Sequence, residues 1–599
     1  MNKLFVLSLF SMSFFTFIPE TYSQDVGATF AWQYLEIYGG HSYPFNQSIV
    51  KERMPDAKTH WSDNPQWWEN MVEEVDYSGI DFLALLSRGT QPGRADLGTG
   101  DPKHITTLVN YMNQRNAGFK LGIFDDCPNS WTGSRNYHLF AKDNSKYELF
   151  DCANTDNYKY IWDYNLKIAI ANIPDNKRYK IDGKMVLIFW SAKPVWMKNL
   201  QGNLSKILAF IKTQCQNTYG FTPYIIVDKS WFDNDSSLNT TTVDAKHSWF
   251  SAKGGTSYTL TAYNGVKTGV CVPSFVKPAE PSNGILYPYT RLDGTVTNDN
   301  GTRLRAGLDE TVKSGARLTL VEGFTDAAEG AALWRSSDEG QLKYYDYPNQ
   351  RLNILRRYTS NPYPNSLKME VEACDLYADL STGNSGLAFL DRGDLDVVKC
   401  DDTNGGWNVT NTEANEWMEW KELPLVQNTK FQLRYKSSAI SSIKFSVDGT
   451  TLSTISLPST DGNWTTIDAG NFTSASKSLH TVRLAIVSGS PDINYFSANN
   501  MDVITSNGPD VKENADGKSV SIYPNPYKDG ILFIDLTGLE TLKDIKVKVI
   551  DIGGKVLQET WFKKSSHLEL SLSGTLKPSI YFIIIETGKT QVVKKLIVE

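Results

Sequence analysis

From residue 26 to 362, short apolar runs alternate with amphipathic stretches, a rhythm that predicts repeated strand and helix units. The runs fall at 28–32, 81–86, 120–124, 185–190, 224–227, near 247–249, at 270–273 and at 318–321. Helical spacing of apolar residues recurs between them, at 67–75, 105–114 and 204–215. Eight strands with helices between them is the count a closed (β/α)8 TIM-like barrel needs, so 26–362 is read as such a barrel with long loops. Its sixth and seventh units carry the faintest pattern. Beyond 368 the period changes. Short alternating segments at 369–373, 415–420, 447–450, 462–466, 479–484 and 492–496, separated by turn residues, predict a β-sandwich over 368–505. A polar stretch without apolar periodicity, 506–518, reads as a linker to a last unit at 519–599.

The first residues carry a different pattern. Met1-Asn2-Lys3 is basic, 4–18 is an apolar run too short for a membrane span, and Thr21-Tyr22-Ser23 supplies small residues at a cleavage spacing. Residues 1–23 are therefore expected to be a signal peptide, and no later stretch is long and apolar enough to predict a membrane span. The formal net charge of -7 removes the electrostatic case for nucleic acid or an anionic membrane surface as partner. Aromatic residues make up 12%, with 16 Trp and 29 Tyr, which leans toward glycans because sugar C–H faces stack on such rings. Six cysteines in an exported chain permit disulfides. Cys127 with Cys152 and Cys374 with Cys400 are the expected pairs, each close in sequence. The absence of any Cys-x-x-Cys argues against a cysteine metal site.

In a barrel of this kind the loops after the strands form the active face. Asp125 and Asp126 follow the third run, Ser191 and Lys193 the fourth, Asp228, Lys229 and Trp231 the fifth. His247 and Trp249 mark the sixth, and Asp326 and Glu329 follow the eighth. Two carboxylates three residues apart at a strand mouth suit glycosidic cleavage, in which one acid gives a proton while the other removes one or attacks. Glu329, with its pKa raised by desolvation, would be the acid and Asp326 the base. The same spacing also describes a helix cap with an acidic residue three positions on. Asp125, Asp126 and Asp228 are equally readable as loop or cap residues. His247 is either a sugar-hydroxyl ligand or a structural histidine.

The stretch Phe324-Thr325-Asp326-Ala327-Ala328-Glu329-Gly330 resembles the Phe-Asn-Glu-Trp-x-Glu-Gly signature of glycoside hydrolase family 99. It is also similar to the Asn-Asp-Tyr-Gly-Glu motif of the family 71 α-1,3-glucanases. The resemblance implies that Asp326 and Glu329 are catalytic and that the substrate is an α-linked glucan or mannan; a binding module appended to the barrel suits internal cleavage of a polymer, and no cofactor is expected for catalysis. More broadly, 26–362 resembles a family of secreted bacterial barrel domains of unknown function.

The 368–505 region, with Met369-Glu370-Val371-Glu372-Ala373, Gly462-Asn463-Trp464 and Asp492-Ile493-Asn494, resembles carbohydrate-binding module family 6. That implies a structural calcium held by Glu370, Glu372 and Asn494, and a sugar site with Trp464 as platform and Asp492 as hydrogen-bond partner. Trp417 is expected in the core, and a purely structural sandwich is the other reading. The motifs Val520-Ser521-Ile522-Tyr523-Pro524-Asn525-Pro526 and Lys594-Lys595-Leu596-Ile597-Val598 closely resemble the C-terminal sorting domain of type IX secretion. This implies export, passage across the outer membrane through that machinery, and release or surface attachment. The chain thus reads as a secreted glycoside hydrolase of an extracellular polysaccharide. The alternatives are a non-catalytic surface glycan-binding protein and a polysaccharide lyase.

Overall fold

The computed structural model describes residues 24–31, 63, 65–89, 102–140, 143–251, 257–277, 290–291, 301–326, 330–335, 346–360, 362–383, 394–403, 406–474, 478–500 and most of 520–598. The signal peptide, the linker and Glu329 lie outside these residues. The chain divides into two compact units, Met1–Asp502 and Val503–Glu599.

The first unit is organised around one large sheet. Its strands are β1 (Asp25–Phe30), β2 (Phe82–Ser87), β3 (Lys120–Asp125), β4 (Lys184–Phe189), β5 (Tyr224–Asp228), β6 (Ala245–His247), β7 (Tyr258–Tyr263), β8 (Val266–Cys271) and β9 (Leu318–Val321). Strands β1 to β6 lie side by side and parallel, β9 lies parallel on the other edge of β1, and β8 lies parallel beside β9. Each run read as a strand from the sequence is one. Burial on both faces explains why they are nearly continuous apolar text, as in β2 (Phe-Leu-Ala-Leu-Leu-Ser), where every residue is buried.

The closed, all-parallel (β/α)8 pattern is not what the hydrogen bonds give. Strand β7, not expected from the sequence, runs antiparallel to β8 through Asn264 and Gly265, both at positive φ (50° and 76°). Those are the residues and angles a two-residue type I′ hairpin demands. Among the described residues no ladder joins the end strands β6 and β7. Strand β6 is three residues long and offers little backbone to pair, so side chains bridge the gap. Thr261 Oγ1 donates to Ser248 Oγ at 3.0 Å, and the Thr259 hydroxyl donates to the Ser248 carbonyl. The sheet is therefore barrel-like but mixed.

Helices accompany some of the strands: α1 (Pro65–Ser78), α2 (Pro102–Arg115), α3 (Leu204–Tyr219), α4 (Thr302–Val312) and α5 (Gln350–Arg356). In α3 the buried residues Leu204, Ile207, Leu208, Ile211 and Cys215 form a single apolar stripe at helical spacing. Inside the sheet, Phe82 stacks on Tyr179 with ring centroids 3.9 Å apart. A Cβ on Gly27 would meet the Phe82 ring at 2.4 Å, so only glycine lets that ring lie against β1.

Residues 366–499 form two antiparallel sheets. One has the order Val397–Lys399, Trp407–Val409, Asp492–Asn499, Thr429–Lys436, Thr465–Phe472, with Ser366–Glu370 also on Asp492–Asn499. The other has the order Leu376–Ala378, Trp417–Leu425, Ser478–Ser488, Ser441–Val447, Thr450–Leu457. Segment 447–450, read as strand, is the hairpin turn between the last two, with Asp448 and Gly449 at positive φ. Trp420 meets Phe496 edge-on at 4.7 Å between the sheets.

One apolar core runs without interruption from the large sheet into this sandwich. Polar contacts reinforce the junction. Asp375 Oδ1 accepts from Asn349 N (3.0 Å) and Nδ2 (2.6 Å), and its Oδ2 accepts from Lys421 N (2.8 Å). Arg335, 2% exposed, sits 3.7 Å from carboxylate oxygens of both Glu73 and Glu74 and donates from Nε to Asn349 Oδ1 at 2.8 Å.

The second unit has a three-stranded sheet (Ser521–Tyr523, Ile531–Asp535, His567–Ser571) and a four-stranded sheet (Val556–Phe562, Ile545–Asp551, Ser579–Thr587, Thr590–Val598) around its own core. Neither expected disulfide forms. All six cysteines are buried thiols. Cys152, Cys215, Cys271 and Cys400 are pushed up to about 12 by burial, so they behave as small apolar side chains. No helix among the described residues is long and apolar enough to cross a membrane.

Candidate functional site

Parallel strands present their C-terminal ends on one side of the sheet, which gathers Asp125, Asp126, Asp228, His247 and Asp326 along one rim. Their environments differ. Asp125, the last residue of β3, is wholly buried. Its carboxylate accepts from Trp131 Nε1 at 2.9 Å and from the Ser130 hydroxyl, and desolvation pushes its pKa up to about 7. Wholly buried against Trp131 and Ser130, it is not exposed as the expected sugar contact would be. Asp126, 5% exposed, is held by Arg88 Nε.

Asp228 ends β5 and works as a double acceptor. Its Oδ1 takes the Ser230 N–H and its Oδ2 the Trp249 N–H, both at 2.9 Å. His247 is 1% exposed. Its Nε2 lies 2.9 Å from the Phe189 carbonyl and its Nδ1 3.8 Å from Asp228 Oδ2. Burial lowers its pKa and favours the neutral imidazole, which fits the structural one of the two readings open for it.

Trp231 also corrects an expectation. It is fully buried, meets Trp131 edge-on at 5.4 Å, and donates from Nε1 to the Trp190 carbonyl at 2.6 Å, so it packs the core beneath the rim. Trp249 keeps partial exposure, and its ring lies 5.2 Å from Phe124 and 5.5 Å from Phe250. Trp190, just past the end of β4, is half-buried in the same way.

The segment after β9 is fixed by backbone bonds to β1. Phe324 N donates to Thr29 O at 2.8 Å, Gly323 N donates to Thr29 Oγ1 at 3.0 Å, and Ala31 N donates to Thr325 Oγ1 at 2.9 Å. Gly323 has φ +87°, and a Cβ there would lie 2.6 Å from Asp326 Cβ. Asp326 is 1% exposed. The far side of the loop is pinned by Arg351, which the sequence reading did not single out. Arg351 is 2% exposed and donates to the carbonyls of Gly330 (3.1 Å) and Ala332 (2.6 Å) and to Ser274 Oγ (2.8 Å). The signal for it was an arginine in α5, whose residues are all buried.

In the sandwich, Lys436 lies between Trp464 and Asp492. Trp464 Nε1 donates to Asp401 Oδ1 at 2.6 Å, and Lys436 Nζ lies 4.9 Å over its ring. Lys436 also reaches Asp401 (2.9 Å) and Asp492 Oδ2 (3.7 Å), while Asp492 Oδ1 accepts from Thr410 Oγ1 at 2.6 Å. Asp401 and Lys436 are additions the sequence did not reveal. Trp417, expected in the core, instead lines an open groove of about 540 Å³ on the other sheet, with the Arg483 guanidinium 3.8 Å over its ring.

Two of the expected calcium ligands have other partners. Glu370 pairs with Lys368 Nζ at 2.5 Å, while Asn494 donates from Nδ2 to Asp402 Oδ2 at 3.0 Å. Among the described residues no group of three or more His, Cys, Asp or Glu side chains is placed to hold a metal.

A barrel-like mixed sheet fused to an all-β sandwich defines a multidomain protein with a carbohydrate-binding module. The chain belongs to the family described as domain of unknown function DUF5010, whose profile matches residues 22–376. A carbohydrate-binding module of family 35 matches 391–498, where family 6 was expected, and a secretion-system C-terminal sorting domain matches 521–599. The protein is accordingly directed by type IX secretion to the extracellular space or the cell surface.

Similar solved structures include the C-terminal family 6 module of a marine laminarinase from Zobellia galactanivorans (22% identity, 23% of this chain and 100% of that one, TM-score 0.18). Others are a family 6 module of Cellvibrio mixtus lichenase 5A with cellotriose (21% identity, 23% and 98%, TM-score 0.18) and a Podospora anserina GH26-CBM35 β-(1,4)-mannanase (12% identity, 24% and 29%, TM-score 0.19). No curated protein matches the chain.

Proposed function

We propose that the protein is a secreted glycoside hydrolase that cuts an extracellular polysaccharide internally, at α-linkages of a glucan or mannan. The large sheet is read as a (β/α)8 barrel in which the β7–β8 hairpin replaces a direct ladder from β6. The observation that carries the reading is the position of Asp326. It leaves the last parallel strand on the same rim as Asp126, Asp228 and Trp249, on a loop braced on one side by Thr29 and on the other by Arg351. In this reading Asp326 acts as base and Glu329, three residues on, as acid. Trp249 stacks on the sugar, and Asp125 and His247 hold the rim rather than touch substrate.

The test is a panel of α- and β-linked polysaccharides with reducing-end detection and product sizing, run with Asp326→Asn and Glu329→Gln. A hydrolase loses turnover in both variants while retaining binding. Absence of turnover on every polymer, with binding intact, favours the alternative of a non-catalytic surface glycan-binding protein. Release of an unsaturated, ultraviolet-absorbing product would mean a lyase instead.

The sandwich supplies the polymer contact in either case, with Trp464 as stacking face and Asp492 and Lys436 as polar partners. Trp464→Ala should lower polysaccharide affinity about ten-fold or more, as lost aromatic hot spots do. A structural calcium belongs to the same reading. Asn494 Oδ1, buried and without a hydrogen-bond partner among the described residues, would hold it with Glu372, while Glu370 would first have to leave Lys368. An unchanged melting temperature on adding calcium to chelator-treated protein would discard this part.

A further inference from the structure

The N-terminal ends of the parallel strands, on the side of the sheet away from Asp326, border a cavity of about 600 Å³. Its walls come from the starts of β1, β2 and β3, the end of α1, Arg356 of α5, and the first strand of the sandwich. The volume falls within the range of roughly 300–1,000 Å³ that small-molecule sites occupy.

Its charges are unevenly satisfied. The three lining carboxylates are each engaged: Asp25 with Arg317 at 2.9 Å, Asp81 with Val26 N at 2.8 Å and the Ser360 hydroxyl, and Asp76 with Gly118 N at 3.3 Å. Two of the lining cations make no ion pair with a carboxylate among the described residues, although Asp76 acts on Arg356 from a distance. Lys120 Nζ reaches only the Asn176 carbonyl, at 3.0 Å. Arg356 is 4% exposed, and among the described residues its guanidinium makes no hydrogen bond; the Tyr77 ring lies 4.8 Å away. A guanidinium carries five donors in a fixed fork. Burying it with none of them used is costly, and a planar oxyanion is the group that matches its geometry. Burial accordingly lowers the Arg356 pKa, the direction expected of a cation awaiting a counter-charge. Tyr77, Phe119 and Tyr179 supply apolar wall beside the two cations.

We infer that this cavity binds an acidic molecule of monosaccharide size, its carboxylate or sulfate group received by Arg356 and Lys120 and its ring lying against the Tyr77 and Tyr179 walls. The site is independent of the strand-end carboxylates, so it stands or falls separately from the hydrolase reading.

Calorimetric titration of the full chain with glucuronate, glucose 6-sulfate, glucose and inorganic sulfate tests it. Glucuronate or glucose 6-sulfate should bind, glucose should not, and inorganic sulfate should bind more weakly than either acidic sugar. Lys120→Gln should weaken acidic-sugar binding about ten-fold, the loss typical of one charge-assisted hydrogen bond, and Arg356→Gln should abolish it. Should Arg356→Gln fail to fold, Lys120→Gln carries the test, since that side chain is only half-buried. No binding of any anion by the wild-type chain, binding untouched by Lys120→Gln, or inorganic sulfate as tight as the acidic sugars would overturn the assignment.

Discussion

Asp228 and His247 stand directly opposite each other on adjacent parallel strands, with His247 Nδ1 3.8 Å from Asp228 Oδ2 and His247 Nε2 2.9 Å from the Phe189 carbonyl. The carbonyl can only accept, so the imidazole proton sits on Nε2 and Nδ1 is bare. Burial lowers the histidine pKa from its ordinary 6.5 and outweighs the pull of Asp228. The sign follows: stability from the neutral ring is present above 6.5 and is lost as pH falls through the lower folded value. Nitrogen-15 NMR should show the Nε2–H tautomer at neutral pH and a transition below 6.5. A transition above 6.5 would contradict this account.

Asp125 has the opposite dependence. Its pKa is raised by burial from 3.8 to about 7. The folded state therefore holds a proton that the unfolded state has released, and this contribution is complete below 3.8 and lost as pH rises through about 7. Asp125→Asn, which keeps the shape without the charge, should flatten the fall in melting temperature across that window. Parallel curves for variant and wild type would show that Asp125 does not titrate there.

Gly323→Ala puts a methyl group where Asp326 Cβ already lies, at a φ of +87° that L-residues rarely adopt. The expected cost is roughly 1–3 kcal/mol in denaturant unfolding. The damage should concentrate on the Asp326 loop, so polysaccharide turnover should fall by more than the stability loss explains. Full activity in a stable variant would detach this loop from the chemistry.

Asp375 organises the junction between sheet and sandwich. It is 2% exposed and accepts three hydrogen bonds, from Asn349 and Lys421. Asp375→Ala strands those donors in the interior, which should cost roughly 2–4 kcal/mol. Because one apolar core spans both parts, the wild-type unit should unfold in a single transition, whereas the variant should show the two parts beginning to separate. Two transitions in the wild-type chain would contradict the shared core.

Much of the fold was legible because burial leaves a direct trace in the text. The eight apolar runs became strands, since a strand covered on both faces admits little polar text, and α3 showed its stripe of Leu204, Ile207, Leu208 and Ile211. Strand β7 escaped because it is half exposed and lies in the stretch with the faintest pattern, although its Asn264-Gly265 turn was in plain view. Side-chain roles were less readable. Trp231 and Trp249 are the same residue type at neighbouring strand ends, yet one packs on Trp131 and the other is half-buried. Spacing alone does not say which way a ring turns.

The sequence by itself determined the series of strands and the sandwich, because these follow from local periodicity and turn chemistry, and it gave the secretion domain through the resemblance of its motifs. Only the tertiary structure decided that the cysteines stay as thiols, that Arg351 braces the Asp326 loop, and that Arg356 faces a cavity without a hydrogen-bond partner among the described residues. Those facts depend on which residues, far apart in the chain, exclude water from one another. That exclusion sets both pKa values and hydrogen-bond partners, and it exists only once the chain has packed.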